Sequence, residues 1–271
     1  MTTIELSLSK GTPHQSGQYG QVGPIITLST LINLSSSNTS LQLEDCGVAI
    51  EGDAMTKIAA PIPFAGSQID QTRHVCAFFN SPDEEYRVLL PFIKDGFQCG
   101  QKAIHIVNRD QRQAHLQRLT AAGIDTAVAE QSGQLEIRTD AEIYLPEGRF
   151  DADRMISAFE QLASGNGTGG FPLSRICCRM DWIVESGSHL DDVIEFESRV
   201  NEVWRRHEDA VICTYHLGKF GADAIVDILR THPMVVIGGV LQQNPFFLPP
   251  DEFLRDFRDR RSRRSGSPAV A

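Results

Sequence analysis

Four places in this sequence set polar residues directly after short runs of β-forming residues, and chemistry is expected there first. They are Asn80-Ser81, Asn108-Arg109, Asp181-Trp182 and Tyr215-His216. Open parallel sheets bind ligands in the crevice beyond the carboxyl ends of their strands, so these eight residues form the expected ligand-binding set. Asp181 suits a general base or a bond to a loop amide, and the second use is commoner. Trp182 suits either stacking on a ligand or core packing. Arg109 and His216 would suit a small anion, whereas neutral apolar walls would suit a hydrocarbon derivative. Ser81 already has a structural duty as a helix cap.

Other chemistries find less support. A phosphate-binding loop needs glycines to bring backbone amides to the phosphate, then Lys and Ser/Thr. The first loop reads Phe79-Asn80-Ser81-Pro82-Asp83-Glu84-Glu85, and its three consecutive carboxylates would repel a polyphosphate. The run Gly165–Gly170 lacks Lys and lies between a helix and a strand, so it reads as a connection. His74-x-Cys76 and Cys213-x-x-His216 hint at metal ligation, but the repeated CxxC usual for zinc is missing and no metal is expected. Cys213 with His216, or Cys178 with His74, would make a thiolate pair, yet no hydrolase signature surrounds either. No catalytic residue and no cofactor is expected.

The elements that must position these loops follow from periodicity. His74–Phe79 reads as a buried strand, and Ser81-Pro82-Asp83-Glu84 as a capping box with proline at the first helical position. The following helix puts Tyr86, Leu89, Leu90, Ile93 and Phe97 on one face and stops at Gly100. Strands are expected at 103–107, 135–138, 175–180, 210–215 and 234–237, and helices at 110–122, 150–163, 189–206 and 222–230. Trp204 falls in register with Val193, Phe196 and Val200, which marks it as core. Cys177 and Cys178 are neighbours in a strand and so face opposite ways. This alternation predicts an α/β fold of three layers, a mostly parallel sheet with helices on both faces.

The flanks differ in texture. Residues 1–70 include a stretch rich in Ser, Thr and Asn, which reads as disordered or as an over-long start, with Met55 a second candidate initiator. Residues 71–257 form the expected domain. Residues 258–271, with Arg258, Arg260, Arg261, Arg263 and Arg264, read as a basic disordered tail. The formal net charge of −10 argues against direct nucleic-acid binding, which needs a basic face. No apolar run approaches the roughly 20 residues of a membrane helix. With no export signal, the expected compartment is the cytoplasm, where thiols stay reduced.

Several phrases occur together and in order: His74-Val75-Cys76-Ala77-Phe78-Phe79, Pro91-Phe92-Ile93-Lys94-Asp95-Gly96, Arg175 leading to Met180-Asp181-Trp182, Phe196-Glu197 with Asn201, Cys213-x-Tyr215, His232-Pro233 and Asn244-Pro245. In this series the chain resembles the MEDS family, the sensory domain named for methanogens, methylotrophs and the dichloromethane-dehalogenase repressor, over about residues 73–257. The resemblance implies a RecA/KaiC-like fold without a Walker A loop, and sensing of a small organic compound coupled to transcription or signalling. It implies a regulatory protein partner, and a homo-oligomer is compatible with it. The chain departs from the pattern at His216, where an acidic residue is expected. His74 begins its strand, away from the expected crevice, and is read as structural. A degenerate nucleotide binder or ATPase ranks second among the readings, and a pure interaction module of a sigma-factor or kinase pathway third.

Overall fold

The computed structural model describes residues 60–162, 170–187 and 190–265. Expectations for residues 1–59 and for the glycine run lie outside the described residues. The centre is a seven-stranded sheet. In chain order its strands are β3 (His74–Phe79), β4 (Lys102–Val107), β5 (Leu135–Thr139), β6 (Ser174–Arg179), β7 (Ala210–His216), β8 (Met234–Ile237) and β9 (Val240–Gln243). Their spatial order is β5-β4-β6-β7-β3-β8-β9. All pairs are parallel except β8 with β9. From β4 the chain leads outward to β5, and from β6 it leads the other way to β7, so the connections diverge between two neighbouring strands. That is the topological switch point of an open α/β sheet.

Two hydrophobic cores lie on the two sheet faces, and strand alternation assigns residues to them. Val75, Ala77, Phe79, Cys177 and Ile212 pack with α1 (Pro82–Gln98), α2 (Arg112–Ala121) and α3 (Thr126–Ser132). Cys76, Phe78, Cys178, Cys213 and Tyr215 face the other core. That core includes side chains from α5 (Ala152–Gln161), α6 (Trp182–Glu185), α7 (Leu190–Arg199), α9 (Ala222–Thr231) and α10 (Pro250–Ser265). A single turn, α4 (Asp140–Ile143), follows β5. Cys177 and Cys178 do face opposite cores, and Trp204 is buried where its register placed it.

Local chemistry explains the element ends. Ser81 Oγ accepts the Glu84 amide at 3.2 Å, with Pro82 in the first turn. The Glu84 carboxylate does not close the box on Ser81; it accepts the Asn80 amide at 2.8 Å. Gly100 (φ +64°) and Gly123 (φ +90°) end α1 and α2 in the left-handed region that favours glycine. Gly96 has another reason: a Cβ there would lie 2.8 Å from Arg175 Cδ. Arg175 is buried, donates to Gln101 Oε1 at 2.6 Å and Phe92 O at 2.5 Å, and pairs with Asp95 at 2.5 Å.

The structure corrects four expectations. The domain begins before residue 71, with a hairpin of β1 (Ile62–Phe64) and β2 (Ser67–Ile69) whose Ile62, Phe64 and Ile69 are buried. The expected helix over 189–206 is broken at Val200 into α7 and α8 (Asn201–Trp204). Residues 258–265 continue α10 and do not form a tail: Phe253 and Phe257 bury its apolar stripe, Arg260 pairs with Asp227 at 2.6 Å and Arg258 with Glu195 at 2.5 Å. Cys76, Cys177, Cys178 and Cys213 are free thiols as expected, but Cys99 at the end of α1 is disulfide-bonded.

Candidate functional site

At the carboxyl ends of the strands, the structure joins three of the eight expected residues into one polar network. Asp181 is buried; its Oδ2 meets His216 Nδ1 at 2.6 Å and Lys219 Nζ at 3.0 Å, and its Oδ1 accepts the His216 amide at 3.1 Å. Burial alone would raise the Asp181 carboxyl, but His216 and Lys219 hold it below the ordinary carboxylate range. Lys219 also pairs with Glu185 at 2.5 Å, and Glu185 accepts Asn108 Nδ2 at 2.5 Å. Asn108 and Asp181 follow β4 and β6, the two strands of the switch point.

The remaining expected residues lie apart from this network. Asn80 and Arg109 are exposed, and Ser81 is occupied in capping. Trp182 is buried in the helical core, stacked at 4.7 Å on Tyr144. Tyr215 points into the same core, its ring 5.7 Å from Phe78 and 5.4 Å from Phe220.

Sequence reading missed Glu85 and Arg179, which form a buried ion pair below the crevice. Thr214 donates to Glu85 Oε1 at 2.9 Å, Gln111 accepts from Arg179, and His216 Nε2 lies 3.5 Å from Glu85. The available signal was a polar residue at each of two inward positions of apolar strands, Arg179 in β6 and Thr214 in β7. Asn108 Oδ1, Arg179 Nε and His216 Nε2 are buried without a hydrogen-bond partner among the described residues. The cavity beside this pair is about 20 Å³, room for a single water.

That cavity is also bordered by a histidine pair. Tyr86 Oη meets His115 Nδ1 at 2.6 Å, and His115 Nε2 meets His105 Nδ1 at 2.8 Å. Burial pushes His105 down to about 4 and His115 well below its ordinary value, so both rings are neutral in the folded chain at pH 7. The unfolded chain takes up these protons as pH falls through about 6.5, while folded His105 resists until about 4. Stability is therefore intact above pH 6.5 and declines between there and pH 4, by about 3 kcal/mol from His105 alone. Denaturant unfolding at pH 7, 5.5 and 4.5 should show this decline, reduced in His105→Gln; equal slopes in both chains would refute it.

At the opposite, amino end of β3 lies a second group. His74 Nε2 is 3.2 Å and His232 Nε2 is 3.3 Å from Glu197 Oε2, and Cys213 Sγ is 3.6 Å from His74 Nε2 and 3.8 Å from Glu197 Oε2. All four residues are buried, and their ligating atoms lie within 4.8 Å of one another. The two metal hints in the sequence each contribute one member, His74 and Cys213. Cys76 instead approaches Met234 O at 3.7 Å. His216 faces the other way on β7. Helix and loop supply the other two members, which is why spacing could not show them.

His74 also borders a cleft of about 260 Å³. Its walls include Trp204, Phe247, Pro233 and Pro249, with Asn201 beside His74.

The sequence matches the family described as "MEthanogen/methylotroph, DcmR Sensory domain" over residues 73–233. No curated protein matches it. Among solved structures it is similar to the flagellar accessory protein FlaH from Methanocaldococcus jannaschii, with 10% identity, a TM-score of 0.41, and coverage of 63% of this chain and 76% of that one. It is also similar to a KaiC-like protein from Pyrococcus horikoshii OT3, with 13% identity, a TM-score of 0.44, and coverage of 64% and 71% respectively. No helix among the described residues is long and apolar enough to cross a membrane. The family match spans more than half of the chain and contains both polar networks, and the chain belongs to the MEDS sensory-domain family.

Proposed function

We propose that this chain senses a small organic molecule, bound in the cleft beside His74, and passes the signal to a regulatory protein partner without catalysing a reaction. The cleft carries this reading. Its volume of about 260 Å³ equals that of roughly nine liquid waters, which suits a compound of about ten heavy atoms. Trp204, Phe247, Pro233, Pro249 and Pro250 give it apolar wall, and His74, Asn201, Arg73, Glu202 and Arg205 bring polar groups to it, a mixture that small-molecule sites use. Three carboxylates in the first loop speak against a nucleotide polyphosphate there.

Thermal melting of the whole chain against a panel of small organic metabolites, ADP and ATP with magnesium tests this. A compound should raise the midpoint of the wild type and act more weakly on Phe247→Ala, which opens the cleft wall. A shift seen only with ATP and magnesium would replace this reading with a KaiC-like nucleotide binder.

A second reading puts the ligand at the carboxyl ends, beside Asn108, Asp181 and His216, the three expected residues that meet there. It is favoured by the unpartnered buried atoms of Asn108, Arg179 and His216, which a bound ligand would satisfy. Under this reading Asn108→Ala, and not Phe247→Ala, abolishes the shift.

A further inference from the structure

We infer that His74, Glu197, Cys213 and His232 form a tetrahedral binding site for a divalent transition-metal ion of the zinc class. The argument begins with the hydrogen bonds behind the two imidazoles. Asn201 Nδ2 donates to three backbone carbonyls, Glu197 O at 3.0 Å, Ser198 O at 3.0 Å and Thr231 O at 2.8 Å. This fixes the amide so that Oδ1 faces His74 Nδ1 at 3.0 Å, and that nitrogen must carry the proton. His232 Nδ1 lies 2.9 Å from Ile228 O, a pure acceptor, so it too carries the proton. With Nδ1 so engaged, each ring turns its Nε2 toward Glu197 Oε2, the atom through which it would ligate an ion. Metal-bound histidines are oriented by such outer bonds.

His74 Nε2, His232 Nε2 and Glu197 Oε2 converge beside the Cys213 thiol on one buried point, and a cation that displaces the thiol proton would be held by all four. His232 Nε2 and Glu197 Oε1 have no hydrogen-bond partner among the described residues. Size agrees as well. Bonds of about 2.0–2.2 Å to nitrogen and oxygen and about 2.3 Å to sulfur place tetrahedral ligand atoms about 3.3–3.6 Å apart. The four measured separations are 3.2, 3.3, 3.6 and 3.8 Å. The set of two imidazoles, one thiolate and one carboxylate favours zinc-like ions over magnesium or calcium, which prefer oxygen alone.

Charge also balances. A dication bound by the Glu197 carboxylate and the Cys213 thiolate leaves a buried centre of zero net charge, with the Cys213 thiol proton released to solvent. His74 also borders the cleft. The assignment does not depend on the identity of any organic ligand.

The untagged whole chain, freed of metal with a chelator and titrated with cobalt(II), tests the assignment. One cobalt per chain should bind, with the strong visible bands of tetrahedral cobalt and a thiolate-to-cobalt charge-transfer band. Cys213→Ser should lose the charge-transfer band. Asn201→Ser, which removes the amide that orients the His74 ring, should weaken binding by about 10- to 100-fold. Absence of stoichiometric binding to the wild type overturns the proposal. So does a cobalt spectrum that Cys213→Ser leaves unchanged, since the ion would then sit elsewhere.

Discussion

Replacing Glu85 with glutamine should lower the unfolding free energy by about 3–5 kcal/mol, because it strands the Arg179 guanidinium inside the protein. Both partners are nearly inaccessible, with side chains 4% and 7% exposed. Burial alone would make the guanidinium easier to deprotonate, but the adjacent Glu85 carboxylate outweighs it and raises Arg179 above its ordinary value. Glutamine keeps the shape and one acceptor for Thr214 while deleting the counter-charge. Urea unfolding at pH 7 measures the loss. Glu85→Leu combined with Arg179→Leu should recover much of it, since removing both charges leaves none unpaired. A Glu85→Gln chain as stable as the wild type would mean that water reaches Arg179 in solution.

Trp182→Ala should cause a loss of similar size, about 3–5 kcal/mol, because few large core residues can be truncated without leaving a cavity. The indole is stacked on Tyr144 at 4.7 Å with Phe150 at 5.8 Å, and it is 1% exposed. In a domain of this size the midpoint should fall by roughly 6–20 °C. Trp182→Phe should be much milder, because the indole Nε1 it removes has no partner among the described residues. If alanine and phenylalanine lowered the midpoint equally, packing would not be what Trp182 contributes.

The central sheet was legible because its strands are apolar runs closed by capping signals, as at Ser81, and its helices end at glycines. The hairpin at 62–69 escaped notice because three-residue strands carry too little periodicity, and proline and glycine dominate that stretch. The helix over 250–265 was hidden by its own charge. Its arginines read as a solvated tail until Asp227, Asp191 and Glu195 on other elements are seen to meet them. Among the site residues, Asp181 and His216 were found by topology, since strand ends are predictable from strand order. Glu197 and His232 were not, because they meet His74 only after α7 and α9 pack on the sheet. The residues that carried the family resemblance at scattered positions, His74, Glu197, Asn201, Cys213 and His232, are neighbours in space.

β7 is bordered by β6 and β3 along its length, with Cys213 and Tyr215 on one face and Thr214 and His216 on the other. Its two faces therefore answer to different masters, one to the cysteine–histidine centre and one to the ion pairs of the crevice. Gene-length changes in this strand should be tolerated very unevenly. Loss of one codon would turn both faces inside out and destroy both networks at once. Insertions beyond Lys219, in the loop that leads to α9, would leave both intact. Natural length variation in relatives should accordingly gather at the ends of β7 and spare its interior.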